Sequence, residues 1–220
     1  MPHVVWDWNG TLFDDLPVVV ASVNAALESI GAAPIDEAGY RRHYRRPVHL
    51  AYESILERPV GPEEFVRLDR VFHDTYRGLS AGVGLAADAR HAVETVTHAG
   101  ASQSVLSMWW HDDLDPAVRR FGLDEHMVAV EGNRGEPGAR KEGRLAEHVA
   151  RLAILVPGLD TAEIVMVGDI TDDAEAAAAC GIGCVLYDGG SQPVATLRSA
   201  GVPVATTLME AVALAGLGAE

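Results

Sequence analysis

Two short apolar runs, far apart in the sequence, are each followed by an aspartate. The run His3–Trp6 leads to Asp7, and the run Ile164–Val167 leads to Asp169, with Asp173 four residues later. An apolar run that stops at a carboxylate and a glycine-containing turn is typical of a buried strand ending at the edge of a sheet. Ligands bind at that edge in open α/β sheets. We therefore expect these aspartates to act together, although a strand-end aspartate that only caps a turn is commoner.

Neighbouring carboxylates raise each other's pKa unless positive charge lies among them. Mg²⁺ is suited to this role, because it takes one or two carboxylates together with water and phosphate oxygens. Lys141, the single lysine among 17 basic residues, would add a positive charge, and Ser107, after another apolar run, would add a hydroxyl donor. A solvated helix position is the alternative for Lys141. The set suits a tetrahedral oxyanion attacked by an aspartate, which predicts phosphoryl-transfer chemistry.

The elements that must position these residues alternate between strand and helix patterns in the second half of the sequence. A helix is expected after Asp115-Pro116, and another after the loop 132–138, with Lys141 at its start. The alternation predicts an α/β fold, with a Rossmann-like parallel sheet as its core. After the N-terminal strand, further strands are predicted at 103–107, 127–130, 164–167, 183–186 and 202–204.

Between the first and second strands the sequence is helical in pattern. Apolar residues from Leu16 to Ile30 recur with the period of an amphipathic helix, and Pro47 is expected to break the helical pattern further on. The glycine-rich stretch 78–84 is typical of a hinge. We predict an inserted α-helical domain at 15–82, with 1–14 and 83–220 forming the α/β core.

Composition narrows the function further. The net charge of −15 argues against nucleic acid or an anionic membrane as a partner. No apolar run approaches the ~20 residues of a membrane span, and no basic segment precedes the first apolar run, as it would in a signal peptide. The two cysteines, Cys180 and Cys184, provide no disulfide framework. We expect a cytoplasmic protein, either a monomer or a homodimer.

The order of these residues resembles that of the haloacid dehalogenase (HAD) superfamily over almost the whole sequence. Asp7–Thr11, read as DWNGT, is similar to the first motif of that superfamily, DxDGT, and Ser107 falls where the second motif has Ser or Thr. Lys141 is similar to the lysine of the third motif, and the segment 168–173 to the fourth motif, GDxxxD. Each motif is weak alone, but four in the right order make a strong signal.

The resemblance implies a role for each matching position. Asp7 would be the nucleophile and a ligand of Mg²⁺, and Asn9 would offer its main-chain carbonyl to the metal. Asp169 would bind the metal, with Asp173 in support. The resemblance also implies that Ser107 and Lys141 hold phosphoryl oxygens. Beside these motifs, Trp8, Gly10, Thr11 and Met108 are candidate substrate-binding residues, although packing explains an aromatic side chain such as Trp8 at least as well.

The inserted helices resemble the small C1-type cap of phosphoglycolate-phosphatase-like members. Such caps close over the active site and recognise the leaving group of the substrate. The resemblance therefore implies a Mg²⁺-dependent phosphatase of a small phosphorylated metabolite. Arg45 and Arg46, beside the predicted helix break, could clamp a second anionic group of the substrate. A solvated helix face explains these two arginines equally well.

Asn9 departs from the pattern of the family. Phosphatases of the superfamily have an aspartate there, which protonates the leaving alcohol and then activates water. An amide can donate a hydrogen bond but cannot deliver a proton, and general acid–base catalysis contributes about 10²–10⁴-fold. His43, His49 and His111 are candidate replacement donors.

Several functions therefore stay open. The first is a phosphatase that is slow, or selective for good leaving groups. The second is a catalytically weakened protein of the same fold that binds a phosphorylated metabolite or has a regulatory role. A long-lived aspartyl-phosphate would also allow a phosphotransferase.

Overall fold

The structure is a computed structural model that describes residues 2–135 and 140–217. Within these residues the strands form one sheet in the order β3-β2-β1-β4-β5-β6, and every pairing is parallel. The predicted α/β class with a parallel sheet is thus confirmed. The strands are β1 (His3–Trp6), β2 (Ser102–Trp110), β3 (Val130–Asn133), β4 (Ile164–Gly168), β5 (Gly183–Tyr187) and β6 (Val204–Ala205).

Strand β1 lies in the middle of this sheet, and all four of its residues are buried. A continuous run of buried residues is what a strand covered on both faces requires. Trp6 pairs with Val105 of β2 and with Val167 of β4, and the Asp7 N–H donates to the Val167 carbonyl at 2.8 Å. Because the three strands are parallel and in this register, their carboxyl ends meet at one edge of the sheet.

The chain packs as two compact units. The sheet unit extends through Phe13, over Leu85–Gly190 and from Val194 onward, and the helical unit contains Asp14–Gly84 with Ser191–Pro193. Helices of the sheet unit are α5 (Ala89–His98), α6 (His111–Arg120), α7 (Lys141–Leu155), α8 (Thr171–Cys180), α9 (Val194–Ser199) and α10 (Leu208–Val212). None of the described helices is both long and apolar enough to span a lipid bilayer.

Helices α7 and α8 share a buried cluster with the strands. Leu145 and Leu152 of α7 and Ala177 of α8 pack in one core with Val5 of β1 and Met166 of β4. Leu145 lies one helical turn after Lys141, and Leu152 lies on the same apolar face of α7. Burial of this face fixes the orientation of the first turn of α7, which contains Lys141. The core therefore positions the start of α7 relative to the ends of β1 and β4.

The helical unit contains α1 (Leu16–Glu28), α2 (Glu37–His43), α3 (His49–Leu56) and α4 (Pro62–Ser80). Its own core includes Val23 and Leu27 of α1, with Leu68 of α4. The Tyr76 hydroxyl of α4 donates to the buried Asp15 carboxylate at 2.6 Å, just before α1 begins. All regular secondary structure in this unit is helical. That residues 15–82 act as a cap domain stays a prediction.

Several predicted boundaries differ from the structure, most clearly those of α6 and β3. Helix α6 begins at His111 and contains Pro116, whereas the expected start was after Pro116. Asp112 and Asp113 in its first turn interact favourably with the helix dipole, which offsets the hydrogen bond that proline cannot donate. Strand β3 spans Val130–Asn133 instead of 127–130. It lies at an edge of the sheet, where a strand needs fewer apolar residues than a central one.

Candidate active site

The loop after β1 places Asp7 at the carboxyl edge of the sheet. The N–H groups of Thr11 and Phe13 both donate to the Trp8 carbonyl, at 3.2 and 2.9 Å, and Gly10, between Trp8 and Thr11, adopts φ +71°. Glycine allows this left-handed conformation at little cost. Asp7 and Thr11 are both buried in this tight turn. The turn fixes the main chain directly after the candidate nucleophile.

Trp8 is fully buried, with its ring stacked on Phe13 at 5.3 Å and tilted against Phe121. Phe13 also stacks on Trp109, which lies two residues after Ser107. The side chain of Trp8 therefore packs in the core below the loop. A substrate-binding role for Trp8, which stays a prediction, would fall to its main chain.

Three carboxylates converge at this edge. Asp7, Asp169 and Asp173 are all buried, and each offers an oxygen within 4.8 Å of the oxygens of the other two. Asp173 is held at the start of α8, where one of its oxygens accepts from the N–H groups of Asp169 and Ile170 at 3.0 and 3.1 Å. Oxygen donors of this kind are what a hard divalent cation such as Mg²⁺ prefers. The residues present therefore fit a divalent metal.

Lys141 lies against two of these carboxylates. Its Nζ is 2.8 Å from Asp7 Oδ1 and also forms an ion pair with Asp173 Oδ1. Burial lowers the pKa of Lys141, but the carboxylates of Asp173 and Asp7 outweigh burial and hold that pKa above its ordinary value. Lys141 thus stays protonated, and its ammonium group pairs with two of the three clustered carboxylates. The excess negative charge favours binding of a cation.

Asp7 experiences opposing influences. Burial raises its pKa and Asp173 raises it further, whereas the Lys141 ammonium lowers it, and the resulting pKa is about 6. Without Lys141 the pKa of Asp7 would rise further, because burial and the charge of Asp173 would no longer be opposed by a neighbouring ammonium group. The ion pair therefore favours the ionised, nucleophilic form of Asp7.

Ser107 contacts the loop that carries Asn9. Its hydroxyl donates to Asn9 Oδ1 at 3.2 Å and accepts from the Trp109 N–H at 3.0 Å. Ser107 lies inside β2, not at its end, but the pairing of β2 with β3 shifts register between Leu106 and Trp110. An irregularity of this kind redirects side chains. The partly buried Met108 follows in the same segment.

All six predicted catalytic and metal-binding residues belong to the sheet unit and lie at the carboxyl edge of its sheet. They are Asp7, Asn9, Ser107, Lys141, Asp169 and Asp173. Arg45 and Arg46 belong to the helical unit, where both are exposed between α2 and α3. The Arg46 Nε donates to the Tyr44 hydroxyl at 3.0 Å. Their contribution to substrate binding stays a prediction.

The three histidines considered as proton donors have other partners. His43 shares a hydrogen bond with the Ser54 hydroxyl at 2.8 Å, and His49 packs edge-on against Phe65. His111 accepts from the Gly132 N–H at 3.3 Å, and its other ring nitrogen contacts Arg134. Both nitrogens of His111 are thus engaged, which disfavours it as a catalytic acid.

Sequence reasoning missed Gly190, which follows β5 and packs against Asp169. The sequence does contain a signal for this loop. Gly189-Gly190 closely follows an apolar run that ends at Tyr187, just as the other site loops follow apolar runs. Glycine in such a loop permits close approach of the main chain to a neighbouring group. The contact between Gly190 and Asp169 exists because β4 and β5 are neighbours in the sheet, and the order of strands is not visible in the sequence.

Residues 4–187 match the family model described as haloacid dehalogenase-like hydrolase, and the chain belongs to this family. The chain is 28% identical over 193 residues to a phosphoglycolate phosphatase of Mesorhizobium japonicum, covering 86% of this chain and 83% of that protein. It is 30% identical over 196 residues to the tyrosine-protein kinase PtkA of Mycobacterium bovis, covering 85% of this chain and 62% of that protein.

The fold is shared with solved structures. A crystal structure described as a predicted phosphoglycolate phosphatase from Haemophilus somnus superimposes with a TM-score of 0.76 at 18% identity, covering 97% of both chains. At that identity the likeness shows the fold alone. Together with the family match, it confirms the expected membership of the HAD superfamily.

Proposed function

We propose that this HAD-like hydrolase is a Mg²⁺-dependent phosphatase of a small phosphorylated metabolite and forms an aspartyl-phosphate on Asp7. The observation that supports this best is the buried group of Asp7, Asp169 and Asp173, with the Lys141 ammonium 2.8 Å from Asp7. A nucleophile, a cation and a set of hard oxygen ligands are the components that phosphoryl transfer needs.

Asp7, Asp169 and the Asn9 main-chain carbonyl, supported by Asp173, would hold Mg²⁺. When bound, the metal supplies positive charge that offsets the carboxylates and the phosphoryl oxygens. The carboxylate of Asp7 attacks phosphorus, and the bond from phosphorus to the leaving oxygen breaks with its electron pair. Lys141 and the Ser107 hydroxyl stabilise the charge on the phosphoryl oxygens. Water then attacks the same phosphorus, the bond from phosphorus to the Asp7 oxygen breaks, and Asp7 returns to its carboxylate form. Solvent takes the proton that the attacking water loses and supplies the proton that the leaving oxygen gains.

Asn9 sets the chemical limit of this reaction. Its amide cannot protonate the leaving oxygen or take a proton from water, so both steps lack that general acid–base contribution. We therefore propose that turnover is slow, that leaving groups of low pKa are preferred, and that the phosphorylated form of Asp7 persists. The hydrogen bond from Ser107 to Asn9 Oδ1 supports a fixed orientation of the amide.

The relatives suggest which substrates to test first. Since phosphoglycolate phosphatases are among them, we propose 2-phosphoglycolate, a small phosphorylated acid, as the first candidate. Arg45 or Arg46 would bind its carboxylate. Both arginines are exposed in the helical unit, where each already donates to neutral oxygen atoms, and an anion would compete with these for the guanidinium groups.

A second candidate function is transfer of the phosphoryl group from Asp7 to an acceptor other than water. The similarity to PtkA, a tyrosine-protein kinase, favours this alternative, as does the Asn9 side chain. A protein that binds phosphorylated metabolites with little catalysis is the third. The three differ in whether phosphate is released, transferred or only bound.

One assay tests the first of these functions. The purified chain is incubated with 2-phosphoglycolate, other alkyl phosphates and p-nitrophenyl phosphate, with and without Mg²⁺, and released phosphate is measured. We expect release that requires Mg²⁺ and is lost in Asp7→Asn. Asp14→Asn, at an exposed position in the helical unit, is the matched control and should retain activity. No release from any of these esters in wild type would contradict the phosphatase proposal.

A further inference from the structure

The order of strands in the sheet places Asp169 between two loops. Asp169 follows β4, and β4 lies between β1 and β5. The loop after β1 contains Gly10, and the loop after β5 contains Gly190. The side chain of Asp169 therefore has a glycine-containing loop on each side.

Both glycines lie too close to Asp169 for any side chain. At Gly190, a Cβ atom would lie under 3.0 Å from the Cβ, Cγ and Oδ2 atoms of Asp169. At Gly10, it would lie 2.5 Å from Asp169 Oδ2 and 2.9 Å from Asp169 Cγ. Real Cβ atoms essentially never approach other heavy atoms this closely. Substitution at either position must displace Asp169 or the loop.

The two glycines differ in why they are needed. Gly10 has φ +71°, so its backbone conformation alone disfavours other residues. Gly190 is not among the glycines with positive φ, and the close approach to Asp169 is the reason for glycine there. Because the approach includes Asp169 Cβ, rotation of the carboxylate alone cannot relieve it. Gly190 is therefore the more informative position.

We propose that Gly190 is a positioning residue for Asp169. Together with Gly10 it forms a narrow slot, defined by these two glycines, that holds the Asp169 carboxylate toward Asp7 and Asp173. The inference rests on the proposed function, because it takes Asp169 as a ligand of the metal. It adds the loop after β5 to the loops that build the site.

The first test is Mg²⁺ affinity, measured by isothermal titration calorimetry without substrate. Gly190→Ala should weaken Mg²⁺ binding at least tenfold, because the displaced carboxylate no longer converges with Asp7 and Asp173. Gly143→Ala is the matched control, since a Cβ at this exposed position in α7 meets nothing within 4 Å. Wild-type affinity, within twofold, in Gly190→Ala would overturn the proposal.

The second test uses metal-free thermal unfolding and needs no activity. Gly190→Ala should lower Tm in the wild-type background but lose most of that effect in an Asp169→Gly background, where the side chain that it meets is absent. An equal loss of Tm in both backgrounds would show that Gly190 serves only its own loop and would overturn the proposal. If Gly190→Ala alone does not fold, a folded double variant supports the coupling.

The two proposals fail in different ways. Wild-type protein that neither binds Mg²⁺ nor releases phosphate would contradict the proposed function. The coupling between Gly190 and Asp169 in thermal unfolding would still decide whether Gly190 positions Asp169.

Discussion

The Nζ of Lys141 lies 2.8 Å from Oδ1 of Asp7, although the two residues begin and end a segment that covers more than half of the chain. Lys141 is the first residue of α7, and Asp7 follows β1. The contact therefore depends on α7 packing against the sheet through Leu145 and Leu152. It links the fold of the sheet unit directly to the protonation state of the candidate nucleophile.

Replacing this lysine should separate its charge from its size. Lys141→Met leaves the buried carboxylates without their ammonium, so the pKa of Asp7 rises and activity falls by at least about 10²-fold. Breaking a buried ion pair costs about 3–5 kcal/mol, which we expect as a loss in the free energy of unfolding at neutral pH. Urea unfolding and phosphate release measure the two effects.

Lys141→Arg is the control for charge alone. The planar guanidinium cannot replace a compact ammonium group between two carboxylates, so we expect retained folding with reduced activity. Activity equal to wild type in Lys141→Met would show that the ion pair plays no part in the reaction.

Asn9→Asp tests the missing acid and base. The substitution restores a carboxylate without changing side-chain size, so turnover of alkyl phosphates should rise by about 10²-fold or more, the usual contribution of general acid–base catalysis. Turnover of p-nitrophenyl phosphate should rise less, because its leaving group departs without a proton. Steady-state rates on both substrates give the comparison.

If Asn9→Asp lowers turnover of every ester tested, then Asn9 contacts the substrate directly or another residue supplies the proton. In either case the explanation of slow turnover would be wrong. Asp7→Asn should remove activity from the wild-type protein and from the Asn9→Asp variant alike.

Protonation of the buried His3 should destabilise the folded protein in acid. His3 bonds the Ser102 and Ser104 hydroxyls at 2.7 and 2.8 Å, and Ser104 also reaches His148, which pairs with Glu131. Burial, with a smaller contribution from the neighbouring His148, lowers the pKa of His3 to about 4. The folded protein therefore resists protonation at His3 more than the unfolded chain does.

The sign of the pH effect follows from that difference. Because the His3 pKa is 6.5 when unfolded and about 4 when folded, its contribution is complete above pH 6.5 and is lost as the pH falls toward 4. The loss should be on the order of 3 kcal/mol at pH 4. Urea unfolding from pH 7.5 to 4.5 should show a shallower loss for His3→Gln than for wild type. Parallel pH profiles for the two proteins would contradict this assignment.

The sequence predicted those features that depend on local pattern. The apolar runs before Asp7 and Asp169 indicated strands, and the period after Leu16 indicated a helix, because burial imposes such patterns on neighbouring residues. The start of α6 was missed, since Pro116 is a strong local signal that a helix dipole and tertiary packing override.

Contacts between distant residues could not be predicted in the same way. The approach of Gly190 to Asp169 and the hydrogen bond between His3 and Ser104 both depend on which strands are neighbours. Strand order is a property of the whole sheet. The candidate catalytic residues could be proposed because their types and order match a family pattern, whereas the groups that position them carry no such pattern.

The most direct test of the proposed function is detection of the phosphorylated enzyme. Wild-type protein is mixed with p-nitrophenyl phosphate and Mg²⁺, quenched in acid, and examined by intact-mass and peptide mass spectrometry. We predict a single added phosphoryl group on Asp7, longer-lived in wild type than in Asn9→Asp and absent in Asp7→Asn. No added phosphoryl group in wild type, or the same addition in Asp7→Asn, would contradict nucleophilic catalysis by Asp7.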